Sequence, residues 1–160
     1  MAIKVKRCLF IGLGGTGMTA LLNTKKIIKE TYGVVPPMIG FLGIDTDGGS
    51  YNGVLPSKYG MIKLEPNEQL KIQVEDARPI YEHSKDKFDW IPTECISSLT
   101  SMRLGAGQVR TNGRFALTVN AHNVCEKIQA VKTAITEAAD ISNADYEPIS
   151  PVVEVHLSSL

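Results

Sequence analysis

A short apolar run, Cys8-Leu-Phe-Ile11, leads directly into Gly12-Leu-Gly-Gly-Thr-Gly17, and the residues that follow are apolar at helical spacing. The order strand, glycine loop, helix leaves few folds open. A strand apolar on both faces belongs in a sheet covered on both sides, and the helix after it must run back over the sheet to start a parallel neighbour. Glycines permit a tight turn and let backbone come close to an anion, while the helix start presents unpaired N–H groups and its positive end. A second cluster, Gly105-Ala-Gly107, precedes another amphipathic stretch, and between the two lies the acidic strand end Phe41-Leu-Gly-Ile-Asp-Thr-Asp47. Together they predict a polyphosphate held from several sides, hence nucleotide binding.

Residues 3 to 13 read as a first, buried strand. Met18, Leu21, Leu22, Ile28 and Tyr32 predict a helix from Thr16 to about Tyr32, with Lys25 interrupting the apolar face by a snorkelling stem, Gly33 as C-cap and Pro36-Pro37 beyond. Met38 to Ile44 is the second strand of a right-handed βαβ unit, so Gly12 to Gly17 and Asp45 to Asp47 share the carboxyl edge of the sheet, where open α/β folds bind ligands. Residues 46 to 60 read as a loop and Tyr59 to Leu64 as a short third strand. Pro66, Pro79 and Pro92 break any long helix in an irregular insertion at about 65–101, which is expected to hold short helices and contains the only tryptophan, Trp90. Leu117, Ala121, Val124, Ile128, Val131, Ile135 and Ala138 form one apolar seam, predicting a single helix of about six turns lying on the sheet rather than a coiled coil. Val152 to Leu157 reads as a further strand.

The chain of 160 residues has the length of one domain, and its 17 basic and 17 acidic residues balance, so no global field draws it to nucleic acid or an anionic membrane. Cys8, Cys95 and Cys125 are odd in number and contain no C-x-x-C pair, against a disulfide framework or a zinc knuckle. The apolar run near the start is too short for a signal peptide, and no stretch approaches the roughly 20 residues of a membrane span. A cytoplasmic location is expected, without direct membrane insertion.

Gly12, Gly14 and Gly17 satisfy the G-x-G-x-x-G dinucleotide fingerprint, with Gly15 and Thr16 inside the loop; no Lys-Ser or Lys-Thr follows, so the string is not a P-loop. Asp45 lies further on than the about 20 residues usual for that motif, a difference that a longer helix and the Pro-Pro loop absorb. The bland alternative is that the glycines serve only the turn. Asp45 and Asp47 can accept from a sugar hydroxyl, hold a magnesium-bound water, or cap a turn before Gly48-Gly49. Arg103, Arg110 and Arg114 surround Gly105, Ala106 and Gly107, with no acidic residue from Met102 to Val124 to neutralise them, which favours an external anion. His83, His122 and His156 show no ligand spacing, and no Ser-His-Asp or Cys-His arrangement is present, so no catalytic or metal-ligating residue is nominated.

The order of these pieces resembles the nucleotide-binding half of the tubulin and FtsZ superfamily, most closely its outlying bacterial members with a Gly-Leu-Gly-Gly-Thr-Gly first loop. Gly12 to Gly17 is similar to the first loop, Phe41 to Asp47 to the second, and Arg103 to Arg114 to the third, with Gly105, Ala106, Gly107, Gly113 and Arg114 in register. Asp45 stands where FtsZ has asparagine, and Thr111 where it has glutamate. The resemblance implies a three-layer, Rossmann-like α/β domain with a mainly parallel sheet, GTP as the nucleotide, with Mg2+ able to accompany it, and self-association into cytoskeletal polymers. It implies phosphate contacts from Gly12, Gly14, Gly15, Thr16, Gly17, Gly105, Ala106, Gly107 and Arg114; Asp45, Asp47 and Arg110 complete the candidate site. The family's Gly-Gly-Gly-Thr-Gly loop, guanine-binding helix and catalytic acidic loop find no match in the chain. Residues 1–160 are therefore expected to be the amino-terminal portion of a single such domain, binding GTP weakly and hydrolysing none by themselves. Two rivals remain: an NAD(P)- or FAD-dependent Rossmann oxidoreductase, supported by the first loop alone, and a nucleotide-free interaction module.

Overall fold

Strand Cys8–Leu13 (β1) turns at Gly12 to Gly15 into helix Gly14–Tyr32 (α1), and Gly33, at φ 77°, ends that helix in the left-handed conformation that glycine permits. Strand Ile39–Asp45 (β2) then lies parallel to β1, in a register running from Cys8 opposite Ile39 to Leu13 opposite Ile44. The computed structural model describes residues 5–99 and 101–138. The expected βαβ unit is present. Its first strand begins at Cys8 rather than at residue 3, and Ile11 and Leu13 are exposed, so the more deeply buried strand is the second, from Phe41 onward. Among the described residues β2 is the middle strand of three.

The third strand of this sheet is not Tyr59 to Leu64. That segment instead belongs to an antiparallel hairpin of Leu55–Ser57 (β3) and Gly60–Ile62 (β4), turned at Lys58 and Tyr59 with Gly60 (φ 92°) opening the second strand, and packed on α1. The sheet is completed by Gln69–Lys71 (β5), parallel to β2 with Asp45 opposite Lys71. Residues 65–99 also carry the short helix Ala77–His83 (α2) and 3-10 turns at 66–68, 85–88 and 93–98. The seam expected to run as one helix is broken into Arg110–Val119 (α3) and Ala121–Glu137 (α4). At the break, Asn120 Nδ2 donates to the Ala116 carbonyl at 2.9 Å, competing with the backbone ladder. The break offsets the two faces: α3 buries Phe115 and Ala116 and leaves Leu117 exposed, whereas α4 buries Val124 and Ile135. The strand expected over Val152 to Leu157 lies outside the described residues.

Two glycines of β2 set the spacing of the layers. A Cβ on Gly40 would meet Ile135 Cδ1 at 2.6 Å, and a Cβ on Gly43 would collide with the Met18 sulfur, so α4 presses directly on one face and α1 on the other. Side chains of β2 alternate accordingly. Phe41 joins Met18, Leu21, Leu22 and Ile62 on the α1 side, while Leu42 and Ile44 join Phe88, Met102, Phe115 and Val124 on the opposite side. The architecture is α/β, a parallel sheet with helices on both faces.

Lys25 does not snorkel to water. It is 8% exposed, and its ammonium donates to Glu68 at 2.5 Å and to the Lys63 carbonyl at 2.9 Å, 5.7 Å from the Phe41 ring centre. This pair ties α1 to the turn before β5. Lys25→Ala strands the Glu68 carboxylate and should lower stability by about 3 kcal/mol, whereas replacing both residues by apolar ones of similar volume should recover most of it. Chemical denaturation of the three proteins measures this.

Candidate functional site

The first glycine loop divides into two kinds of glycine. A Cβ on Gly12 would sit 2.5 Å from the Gly17 carbonyl oxygen, and one on Gly17 2.9 Å from the Gly12 carbonyl carbon, so these two exist to let the strand end and the first helical turn touch. Gly14 takes φ 68° and Gly15 does not, yet both would carry a Cβ into open space. Gly15 is thus demanded neither by packing nor by left-handed backbone. Leu13 occupies the N-cap of α1 without a side-chain hydrogen bond, and no acidic residue lies in the first turn. The leading N–H groups of a long helix therefore have no side-chain acceptor.

The second loop repeats the arrangement. φ is positive at Gly105 (108°), Gly107 (63°) and Gln108 (62°), and the Val109 N–H donates to the Ala106 carbonyl at 3.1 Å, so Gly107 and Gln108 are the two left-handed central residues of a tight turn leading into the next helix. Left-handed glutamine costs about 1 kcal/mol. Val109 is the N-cap of α3, again with no side-chain cap and no acidic residue in the first turn, and the first helical residue is Arg110. A cation at the positive end of a helix is electrostatically misplaced unless an anion joins it. Below the loop, buried Asn112 donates from Nδ2 to the Ala106 carbonyl at 3.3 Å, and its Oδ1 is the one buried side-chain oxygen or nitrogen without a partner among the described residues.

At the end of β2 the two aspartates differ. Asp47 Oδ1 accepts from Gly49 N–H at 2.8 Å, capping the 3-10 turn Gly48–Asn52, the structural role considered from the sequence. Asp45, 9% exposed, accepts on Oδ1 from Asp47 N–H at 3.2 Å and the Thr46 hydroxyl at 3.4 Å. Asp45 N–H donates to the Tyr51 hydroxyl at 2.8 Å, and that hydroxyl donates to the Leu70 carbonyl at 2.6 Å, bracing the floor between β2 and β5.

These elements converge on one cavity of about 680 Å³ at the carboxyl edge. Of the candidate residues, Gly14, Thr16, Asp45, Ala106, Arg110 and Arg114 line it. Gly12 and Gly17 lie beneath as the backbone contact, Gly15 is exposed on the open side of the loop, and Gly105 and Gly107 flank the lining residues Ala106 and Gln108. Asp47 does not line the cavity; its Cβ lies 3.6 Å from where a Cβ on Gly105 would sit, so the second and third loops meet there. The sequence reading missed Leu13, Ile44, Thr46, Ile72, Gln108, Val109 and Leu117 of the lining. It also missed Trp90, whose ring centre is 4.0 Å from Arg114 Cζ, and Lys71, whose ammonium lies 2.9 Å from a Cβ position on Gly48. Only the rarity of tryptophan could have drawn attention to the first; a three-residue strand gives no signal for the second. No group of three or more His, Cys, Asp or Glu side chains among the described residues could hold a metal ion, and no helix of these residues is long and apolar enough to cross a membrane. The site can hold an anion between two helix ends and two guanidinium groups, against a largely apolar wall.

A family model described as tubulin-like matches residues 9–158. The chain belongs to this tubulin-like family. The match spans both glycine loops, the β2 end and the segment between them. No curated protein and no solved structure was found to match.

Two outcomes are expected in this tubulin-like chain. Gly12→Ala should cost about 3 kcal/mol, because backbone on the far side cannot yield, while Gly15→Ala should leave stability unchanged or raise it by up to about 1 kcal/mol; thermal denaturation compares them. Burial, the largest cause, holds the Tyr51 hydroxyl up at about 12 against an ordinary value of 10.0. A raised folded value contributes stability that is complete below the unfolded value and lost as pH rises through the folded one. Wild-type stability should therefore fall between pH 10 and 12, more steeply than that of Tyr51→Phe, as followed by circular dichroism.

Proposed function

We propose that this tubulin-like chain binds GTP, with the phosphates lying between the N-termini of α1 and α3, and that it serves a polymer-forming, cytoskeletal-type protein. The observation that carries this reading is the pair of uncapped helix starts, each free of acid in its first turn, beside one cavity that Arg110 and Arg114 also line. Both helix ends and both cations favour negative charge in the same place. Gly15, which needs no glycine for folding, fits a backbone that must let a phosphate come close. Family membership supports GTP over a dinucleotide, and a Rossmann oxidoreductase would account for Gly12 to Gly17 but leave the second loop without a role. Mg2+ would arrive on the phosphates, with the Asp45 carboxylate as its protein neighbour; one or two carboxylates plus phosphates suffice for that ion.

Thermal shift and calorimetry with GTP, ATP and NAD side by side test the proposal. GTP should raise the melting temperature most, a ligand at 100 times its dissociation constant adding about 2.7 kcal/mol. Gly15→Ala should weaken GTP binding without loss of stability, and Arg114→Ala should weaken it by about 1.5 to 3 kcal/mol through the lost charge-assisted hydrogen bond. Stabilisation by NAD alone would favour the oxidoreductase, and no response to any of the three the nucleotide-free module.

A further inference from the structure

Arg114 does not wave freely in the cavity. Its Cζ lies 4.0 Å from the centre of the Trp90 ring, and no carboxylate pairs with it among the described residues. Both partners of this stack are anchored in one buried aromatic cluster. Phe115, adjacent to Arg114 on α3, packs against Phe88 with ring centres 4.5 Å apart. Phe88, 3% exposed, meets Trp90 edge-on at 6.4 Å, and the Ile91 N–H donates to the Phe88 carbonyl at 3.0 Å, fixing the turn that carries Trp90. A guanidinium stacked on an aromatic ring uses its face and keeps its N–H edge in its own plane, available as a fork for an oxyanion. We propose that Trp90 is a positioning residue for anion capture: it holds the Arg114 guanidinium by its face so that the donor edge addresses a phosphate in the cavity before the ligand arrives. The proposal rests on the GTP reading only for the identity of the anion.

A mutant cycle on the full chain tests it, with sodium tripolyphosphate and GTP as separate probes, read by calorimetry and by the fluorescence of Trp90, the only tryptophan. Trp90→Leu keeps apolar bulk but removes the π face, and Trp90→Phe keeps a ring. Trp90→Leu should weaken both probes by about three- to tenfold, Trp90→Phe should restore most of the loss, and Trp90→Leu should cost nothing further in Arg114→Ala. Both probes should change Trp90 emission in the wild type and fail to do so in Arg114→Ala. A role confined to packing would instead weaken binding equally in both backgrounds. GTP binding that Trp90→Leu leaves intact overturns the positioning role and spares the GTP reading. A tripolyphosphate site with the expected coupling, for which GTP gains nothing over tripolyphosphate, sinks the GTP reading and supports the positioning role. Failure of both probes to bind overturns both.

Discussion

The contact between the backbones of Gly12 and Gly17 is the constraint from which the rest of the structure is built. No Cβ fits between them, so the last residues of β1 and the first turn of α1 are held at backbone distance, and the direction of α1 is set where it begins. Met18, the next residue on α1, then fills the space that the absent side chain of Gly43 leaves on β2. One helical turn thus docks on two strands through three glycines. With α1 fixed on one face, Gly40 allows α4 the same close approach on the other, and the sheet between them is thin enough for Leu42 and Ile44 to reach Phe88 and Phe115.

The same construction leaves the carboxyl edge electrostatically unbalanced. Two helix starts present unpaired N–H groups with apolar residues, Leu13 and Val109, at their N-caps, where Ser, Thr, Asp or Asn would satisfy a donor. Arg110 adds a cation to the positive end of α3. Each feature costs a fraction of a kcal/mol to about 1 kcal/mol, and the deeply buried Phe115 and Ala116 one turn later hold α3 in place regardless. Energy set aside in this way is recovered only when negative charge enters.

The βαβ unit was readable because its signals are local: an apolar run, glycine punctuation, a 3.6-residue period and a C-cap at Gly33. The handedness of the crossover alone puts the first glycine loop and Asp45 on one sheet edge, whereas the second loop follows an irregular stretch that this argument does not reach. What could not be read depends on contacts distant in sequence or on geometry below the reach of a periodic pattern. β5 is three residues long and is defined by pairing with β2 and by the burial of Ile72 and Val74 beyond it. Asn120 interrupts the seam through a hydrogen bond of its own side chain, while the apolar spacing continues undisturbed on either side. Lys25 resembled a snorkelling lysine because its partner, Glu68, lies on the turn before β5.

The segment without a recognisable motif therefore does more than connect the two loops. Helix ends supply charge with little directional demand, and an anion attracted by them alone could sit in several orientations. A planar guanidinium discriminates among these, because its donors lie in one plane, provided that the plane is fixed. The turn around Trp90 supplies that fixing from outside both glycine loops, and Ile72, from the strand end beside it, joins Leu13, Ile44 and Leu117 in an apolar wall. Such a wall displaces water and lowers the local dielectric, so that the N–H groups and the Arg114 edge act more strongly on whatever charge they hold. Orientation, which the glycine loops cannot provide, comes from the turn around Trp90, and the low dielectric comes from a wall to which the first loop, β2, the end of β5 and α3 each contribute a side chain.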